Sequence, residues 1–127
     1  NIHPFTEFRM RRNTLVDYAK EIGLSLVVEG GYGLRPFLEA VGGDFDGRCP
    51  VCYRLRMRSA ARYAAENGFT HFTTTLLISP YQNHELLAQT AREAAEEFGV
   101  SFLYRDFRPS FREGQDRARA MGLYMQK

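Results

Sequence analysis

Cysteine is scarce in this chain: Cys49 and Cys52 are the only two among 127 residues. That excludes the disulfide framework of a small secreted domain. None is needed at this length, since a chain of about 130 residues buries roughly two-thirds of its unfolded surface. Lysine is nearly as rare. Of seventeen Lys and Arg residues, only Lys20 and Lys127 are lysines. The missing lysines are replaced by arginine, whose planar fork suits phosphate and base stacking, although a GC-rich genome produces the same bias through its codons. Also absent is any apolar run near the roughly 20 residues that span a bilayer, and no signal-peptide pattern opens the chain. These absences give the expectation of a cytoplasmic protein with no membrane partner. The chain starts at Asn1 rather than at methionine, which gives the further expectation that sequence is missing upstream. No nucleophile motif, Walker loop or dinucleotide fingerprint occurs; Glu29 to Gly33 is glycine-rich but lacks the dinucleotide spacing.

What is present is an ordinary globular composition, 44% hydrophobic and 25% charged, with a net charge of +2 and a pI near 8.7. Length and composition give one domain over residues 1–127. Phe5 to Ile22 reads as an amphipathic helix, with Phe8, Leu15, Tyr18, Ala19 and Ile22 on its apolar face and Gly23 as its stop. Leu24 to Val28 reads as a short buried strand. After a loop at Glu29–Gly33, a short helix is expected over Leu34 to Val41, then a loop over Gly42–Gly47. A long helix follows from about Pro50 to Asn67, with Leu55, Ala60, Ala61 and Ala64 buried and Gly68 ending it. Thr70 to Leu76 is β-branched and aromatic, hence a strand. His84 to Phe98 is an Ala- and Glu-rich helix ended by Gly99, and Val100 to Tyr104 is a third strand. Asp106 to Arg112 is irregular, and Glu113 to Met121 is a last helix before Gly122. Strands alternating with helices give an α/β fold with a parallel sheet and flanking helices. Three strands make a thin sheet, so one or two more are expected outside this segment.

Three stretches carry chemistry. With Pro50 in the first helical position, Cys49 is expected as the N-cap of the long helix and Cys52 in its first turn. Residues three apart share a face, and the helix N-terminus favours thiolate. The spacing alone leaves three readings open: metal ligands, a redox pair, or two half-buried cysteines with no role. A complete metal site needs more donors, and His3, His71 and His84 show no zinc-finger spacing. The second stretch, Thr73 to Gln82, ends a strand and becomes a polar loop, where open α/β sheets bind ligands. The third, Tyr104 to Arg112, interleaves arginines with aromatics, as a surface that grips phosphates and stacks bases would. Arginines near 9–12 and 54–62 extend the basic surface or form solvated helix faces.

The blocks Asn1-Ile2-His3-Pro4-x-x-Glu7-Phe8-x-x-Arg11, Cys49-x-x-Cys52-Tyr53-x-Leu55-Arg56, Thr74-Thr75-Leu76-Leu77-Ile78-Ser79-Pro80-Tyr81-Gln82, Asp106-Phe107-Arg108-Pro109 and Gly122-Leu123-Tyr124-x-Gln126-Lys127 together resemble the QueH family, across essentially the whole chain and in order. The resemblance implies an epoxyqueuosine reductase: a cobalamin-independent oxidoreductase that removes the epoxide oxygen of epoxyqueuosine at the tRNA wobble base. It implies an adenine-nucleotide α-hydrolase-like (HUP-type) fold, a [4Fe–4S] iron–sulfur cluster with an additional iron ion, and an unidentified electron donor. Cys49 and Cys52 are then expected to bind metal. Thr74, Thr75, Ser79, Tyr81, Gln82 and Asp106 are expected in the catalytic site, and Arg56, Arg105, Arg108 and Arg112 on the tRNA anticodon loop. Family members carry further cysteines upstream of the Asn-Ile-His-Pro block and after the Gln-Lys pair, so this chain is expected to be an interior segment. Met125 stands where the family usually has arginine, which removes whatever contact that arginine makes. Two readings of other classes compete: a non-catalytic RNA- or nucleotide-binding α/β module, and a thiol–disulfide oxidoreductase using Cys49 and Cys52.

Overall fold

A computed structural model describes residues 4–28, 33–43 and 48–125. The loops expected at Glu29–Gly33 and Gly42–Gly47 fall largely outside the described residues, as do Asn1 to His3 and the Gln126-Lys127 pair. The chain forms two compact units, Asn1–Glu39 with Glu113–Lys127, and Ala40–Arg112. No helix among the described residues is long and apolar enough to cross a membrane.

In the first unit, helix α1 spans Phe5–Glu21 behind Pro4. It ends where Gly23 takes φ 72°, a left-handed value that lets the Leu24 N–H return to the Ala19 carbonyl at 2.8 Å. Of the apolar face expected on α1, Ala19 is buried, Phe8 and Tyr18 are half-buried, and Leu15 and Ile22 are exposed. The run Leu24 to Val28 is not the expected buried strand. Among the described residues it pairs with no neighbour, and Leu24, Val27 and Val28 are more than half exposed. A strand needs a ladder to satisfy its backbone, and none is offered here. Helix α2 covers Leu34–Val41, as expected. At the other end of the unit, Tyr124 donates its hydroxyl proton to Glu7 Oε2 at 2.6 Å. That bond to the carboxylate holds the phenol proton and raises the Tyr124 pKa above its ordinary 10.0.

The second unit is a helix followed by a β–α–β element. Helix α3 spans Arg48–Glu66, strand β1 His71–Phe72, helix α4 His84–Phe98 and strand β2 Ser101–Phe102. The strands run parallel, with His71 opposite Ser101 and Phe72 opposite Phe102. Helix α4 has the ends its sequence dictates. Asn83 caps it by accepting from the Leu86 N–H, and Gly99 closes it in the left-handed region at φ 72°. Helix α3 packs on α4 through a stripe of small residues. Tyr53, Met57, Ala61 and Ala64 meet Leu87, Ala91, Ala94 and Ala95, with Phe72 and Leu77 closing the cluster. Ala61 and Ala64 were expected there, but Leu55 and Ala60 are only partly buried, and Tyr53 and Met57 take the central places. Arg58 on α3 pairs with both carboxylate oxygens of Glu97 on α4, at 3.1 and 2.8 Å.

Strand β1 is much shorter than the seven residues expected over Thr70 to Leu76, and β2 is likewise cut to two. The threonine hydroxyls are the cause. Thr73 Oγ1 donates to the Leu103 carbonyl at 2.8 Å, replacing a ladder bond. Thr74 Oγ1 accepts from the Leu76 N–H and so caps a 3-10 turn over Thr75–Ile78. Short polar side chains that bond nearby backbone compete with the ladder in this way. A second 3-10 turn covers Arg108–Ser110 in the segment expected to be irregular, and it lies against the first. The last helix, α5, covers Phe111–Ala120, two residues earlier than expected at its start. The architecture is mixed α/β, mostly helical, with a small two-stranded parallel sheet.

Candidate functional site

All the residues singled out for chemistry lie in the second unit. The two 3-10 turns follow β1 and β2 directly, so the Thr74–Gln82 and Asp106–Arg112 segments meet beyond the carboxyl ends of the parallel strands, where such sheets bind ligands.

Helix α3 begins at Arg48, so Cys49 lies inside its first turn rather than capping it. Pro50 is tolerated there because first-turn N–H groups have no partner within the helix. Both cysteines are free thiols, Cys49 exposed and Cys52 half-buried. Their three-residue spacing puts them on one helix face, about 5–6 Å apart at Cβ. Two such thiols are suitable soft donors for a metal. Among the described residues no third His, Cys, Asp or Glu joins them. One turn further on stands Arg56, whose Nε is buried without a hydrogen-bond partner among the described residues.

Tyr53, next to Cys52, is buried with its hydroxyl against the loop before α4. The hydroxyl donates to Gln82 Oε1 at 2.7 Å and accepts from the Asn83 N–H at 3.1 Å. Burial raises the Tyr53 pKa above its ordinary 10.0, with smaller contributions from the neighbouring Cys49 and Cys52, so the phenol keeps the proton it gives to Gln82. The same loop is tied further. Ser79 Oγ accepts from the Tyr81 N–H at 3.2 Å. The Ser79 carbonyl takes the proton of buried His84 Nε2 at 2.9 Å. Thr74 and Ser79 thus each spend an acceptor lone pair on local backbone, while Thr75 is exposed. Tyr81 projects outward at 83% exposure, with the edge of one ring against the other in its contact with Phe111, centroids 5.7 Å apart.

Asp106 and Arg108 form one unit. Arg108 donates from Nε to Oδ1 at 2.9 Å and from Nη2 to Oδ2 at 2.7 Å, and its backbone N–H also reaches Oδ1. Those bonds hold the Asp106 carboxyl at about 2, below its ordinary 3.8, so it is a fixed anion and a poor proton donor. A depressed carboxyl stabilises the fold in its ionised form. The contribution is complete above about pH 4 and fades as pH falls from there towards 2. A carbon-detected titration of Asp106 is expected to give a midpoint near 2; a midpoint at 3.8 would contradict the pairing. Arg105 lies over the Phe107 ring at 5.8 Å, and Arg112 is exposed. An open cleft of about 490 Å³ at the start of α4 is lined by Gln82, His84, Glu85, Arg92, Tyr104 and Arg108, among others. It joins the loop after β1 to the segment after β2.

Tyr53 is the residue that sequence reasoning missed. Its signal was available: a polar-tipped ring on the buried stripe of α3, which must find a partner for its hydroxyl.

Two free thiols at a helix start thus flank a tyrosine bonded to a polar loop at the end of a parallel sheet, in an α/β protein with a candidate ligand site there. The family described as "Epoxyqueuosine reductase QueH" matches residues 1–127. Relatives bearing that name include one from Dehalococcoides mccartyi, 34% identical over 127 residues, covering 100% of this chain and 70% of the relative. One from Thermotoga maritima is 29% identical over 136 residues, covering 99% of this chain and 70% of the relative. One from Helicobacter pylori is 32% identical over 108 residues, or 81% of this chain and 29% of that protein. The chain belongs to the QueH family of epoxyqueuosine reductases, which are oxidoreductases.

Proposed function

We propose that this chain reduces epoxyqueuosine at the wobble base of tRNA to queuosine, on a HUP-type α/β frame in the cytoplasm. Tyr53 carries this reading, because its hydroxyl joins the Cys49–Cys52 turn to the Ser79–Gln82 loop across 29 residues of sequence. A reducing centre has to neighbour a polar substrate loop, and the Tyr53–Gln82 bond supports that assignment of the two segments. Removing the epoxide oxygen as water takes two electrons and two protons, and the electrons come from an external donor.

Cys49 and Cys52 would hold iron as two members of a larger ligand set, a [4Fe–4S] cluster with an additional iron ion beside it. Such a group, when bound, supplies electrons singly and polarises an oxygen as a Lewis acid. The remaining roles fall to side chains of the chain itself. Tyr81 has an open ring face on which an unstacked base of the anticodon loop can lie. Arg105, Arg112 and Arg108 contact phosphates, with Asp106 orienting the Arg108 fork, and Arg56 extends this surface along α3. Among the described residues the Thr74 and Ser79 hydroxyls only accept, which leaves their protons for the substrate, and Thr75 and Gln82 complete the polar wall.

The test is direct. The full-length protein, reconstituted anaerobically with iron and sulfide, is given tRNA containing epoxyqueuosine and a chemical reductant, and the digested nucleosides are analysed by mass spectrometry. Conversion to queuosine is expected. Absence of both bound iron and conversion overturns the proposal.

A further inference from the structure

The geometry points to Tyr53 as a positioning residue that fixes the orientation of the Gln82 amide, so that Gln82 meets the substrate as a hydrogen-bond donor to an oxygen of the modified nucleoside. This inference rests on the functional reading above and deepens it. A glutamine amide has an acceptor end and a donor end of nearly equal size, so a site that uses one end must exclude the other. Here a backbone group makes the choice. The Asn83 N–H can only donate, and it points at the Tyr53 oxygen at 3.1 Å. The phenol proton is therefore directed at the other neighbour, 2.7 Å away, which must present its carbonyl oxygen, Oε1.

The consequence lies at the opposite end of the amide. Gln82 is half-buried and lines the cleft at the start of α4, while its Nε2 is neither enclosed nor bonded among the described residues. With Oε1 taken by Tyr53, the two N–H donors are left for the cleft that Gln82 lines, and Tyr53, the support, is absent from that lining. Other donors line the same space. Arg92 has no partner among the described residues, and Arg108 has Nη1 to spare beyond its bonds to Asp106. Glu85 adds a carboxylate to the lining, but the Gln82 amide N–H groups need an acceptor, which the oxygens of the modified nucleoside supply. The epoxide oxygen gains negative charge as its bonds to carbon break, and a donor fixed in advance stabilises that charge without reorganisation.

Glutamate and methionine at position 82 separate this role from a merely structural one. Gln82→Glu keeps an acceptor for the Tyr53 hydroxyl and loses both donors; Gln82→Met keeps the shape and loses everything polar. In the reconstituted full-length enzyme, both variants are expected to lower kcat/KM on epoxyqueuosine tRNA at least about tenfold. Tyr53→Phe is expected to lower it several-fold, and the Tyr53→Phe/Gln82→Met double variant to fall no further than Gln82→Met alone. Thermal melting, recorded alongside, separates loss of fold from loss of position. Wild-type kcat/KM in Gln82→Glu overturns the donor role. A double variant that loses the product of the two single effects overturns the positioning role. If the wild-type enzyme does not turn over that tRNA, the functional reading fails by itself. The inference is then decided by the Gln82 side-chain amide resonances: a displacement in Tyr53→Phe sustains it, and unchanged resonances overturn it.

Discussion

Replacing Cys52 with serine is expected to abolish iron retention and to reduce epoxyqueuosine reduction at least about 100-fold, while the chain stays folded. The magnitude follows from the ligand. Losing a mere outer-shell partner of a metal ligand costs about 10–100-fold, and exchanging a thiolate for a hydroxyl, a far poorer ligand for iron, removes the ligand itself. The fold is spared because Cys52 is half-buried and lies outside the cluster that joins α3 to α4. Iron analysis, visible absorbance of the reconstituted protein and thermal melting read the three parts separately. A variant that keeps wild-type iron and activity would remove Cys52 from the site. The same experiment addresses the thiol–disulfide reading, for which iron-free wild-type protein would keep its activity.

The second large effect is on stability. Leu87→Ala is expected to cost about 3 kcal/mol, within the 2–5 kcal/mol typical of such truncations. For a chain of this length that is roughly 10 °C in Tm. Leu87 is fully buried at 0% exposure, in the cluster that includes Met57, Leu77 and Ala91, and the flanking alanines have no side chain to move into the space. By contrast, Arg58→Ala removes a paired but half-exposed side chain and is expected to cost under about 1 kcal/mol. Urea unfolding of both variants checks the ranking; equal losses would mean that the α3–α4 interface is not the main source of stability.

Helix α4 was legible from His84 to Phe98 because its signals are local: an Ala- and Glu-rich run and the glycine stop at Gly99. Helix α2 was legible from the glycines that bound it, with Pro36 in its first turn. The strands were not, because strand length is decided by partners. Thr73 and Thr74 have high strand propensity, yet their hydroxyls bond the Leu103 carbonyl and the Leu76 N–H and end the ladder. Leu24 to Val28 has the composition of a buried strand and no neighbour to make it one among the described residues. At the candidate site, the cysteine pair and the loops beyond the strands could be placed from spacing. Their connection through Tyr53 could not, since a hydrogen bond across 29 residues leaves no periodic trace. Asp106 was expected in the site from the resemblance alone, and its pairing with Arg108, two positions on, was not expected.

The bond between Glu7 and Tyr124 spans 117 residues and lies in the unit built from both ends of the chain. On the ribosome, the continuous unit Ala40–Arg112 can gather its core as soon as it emerges, whereas the discontinuous unit has to wait for Tyr124 to be made. At about 5–20 residues per second, some 117 residues take roughly 6–23 s to synthesise. Through that interval α1, with Leu15 and Ile22 on its surface, stands without its C-terminal partners. The Glu7–Tyr124 bond can therefore form only after all of Ala40–Arg112, with the cysteine-bearing helix α3, has been synthesised.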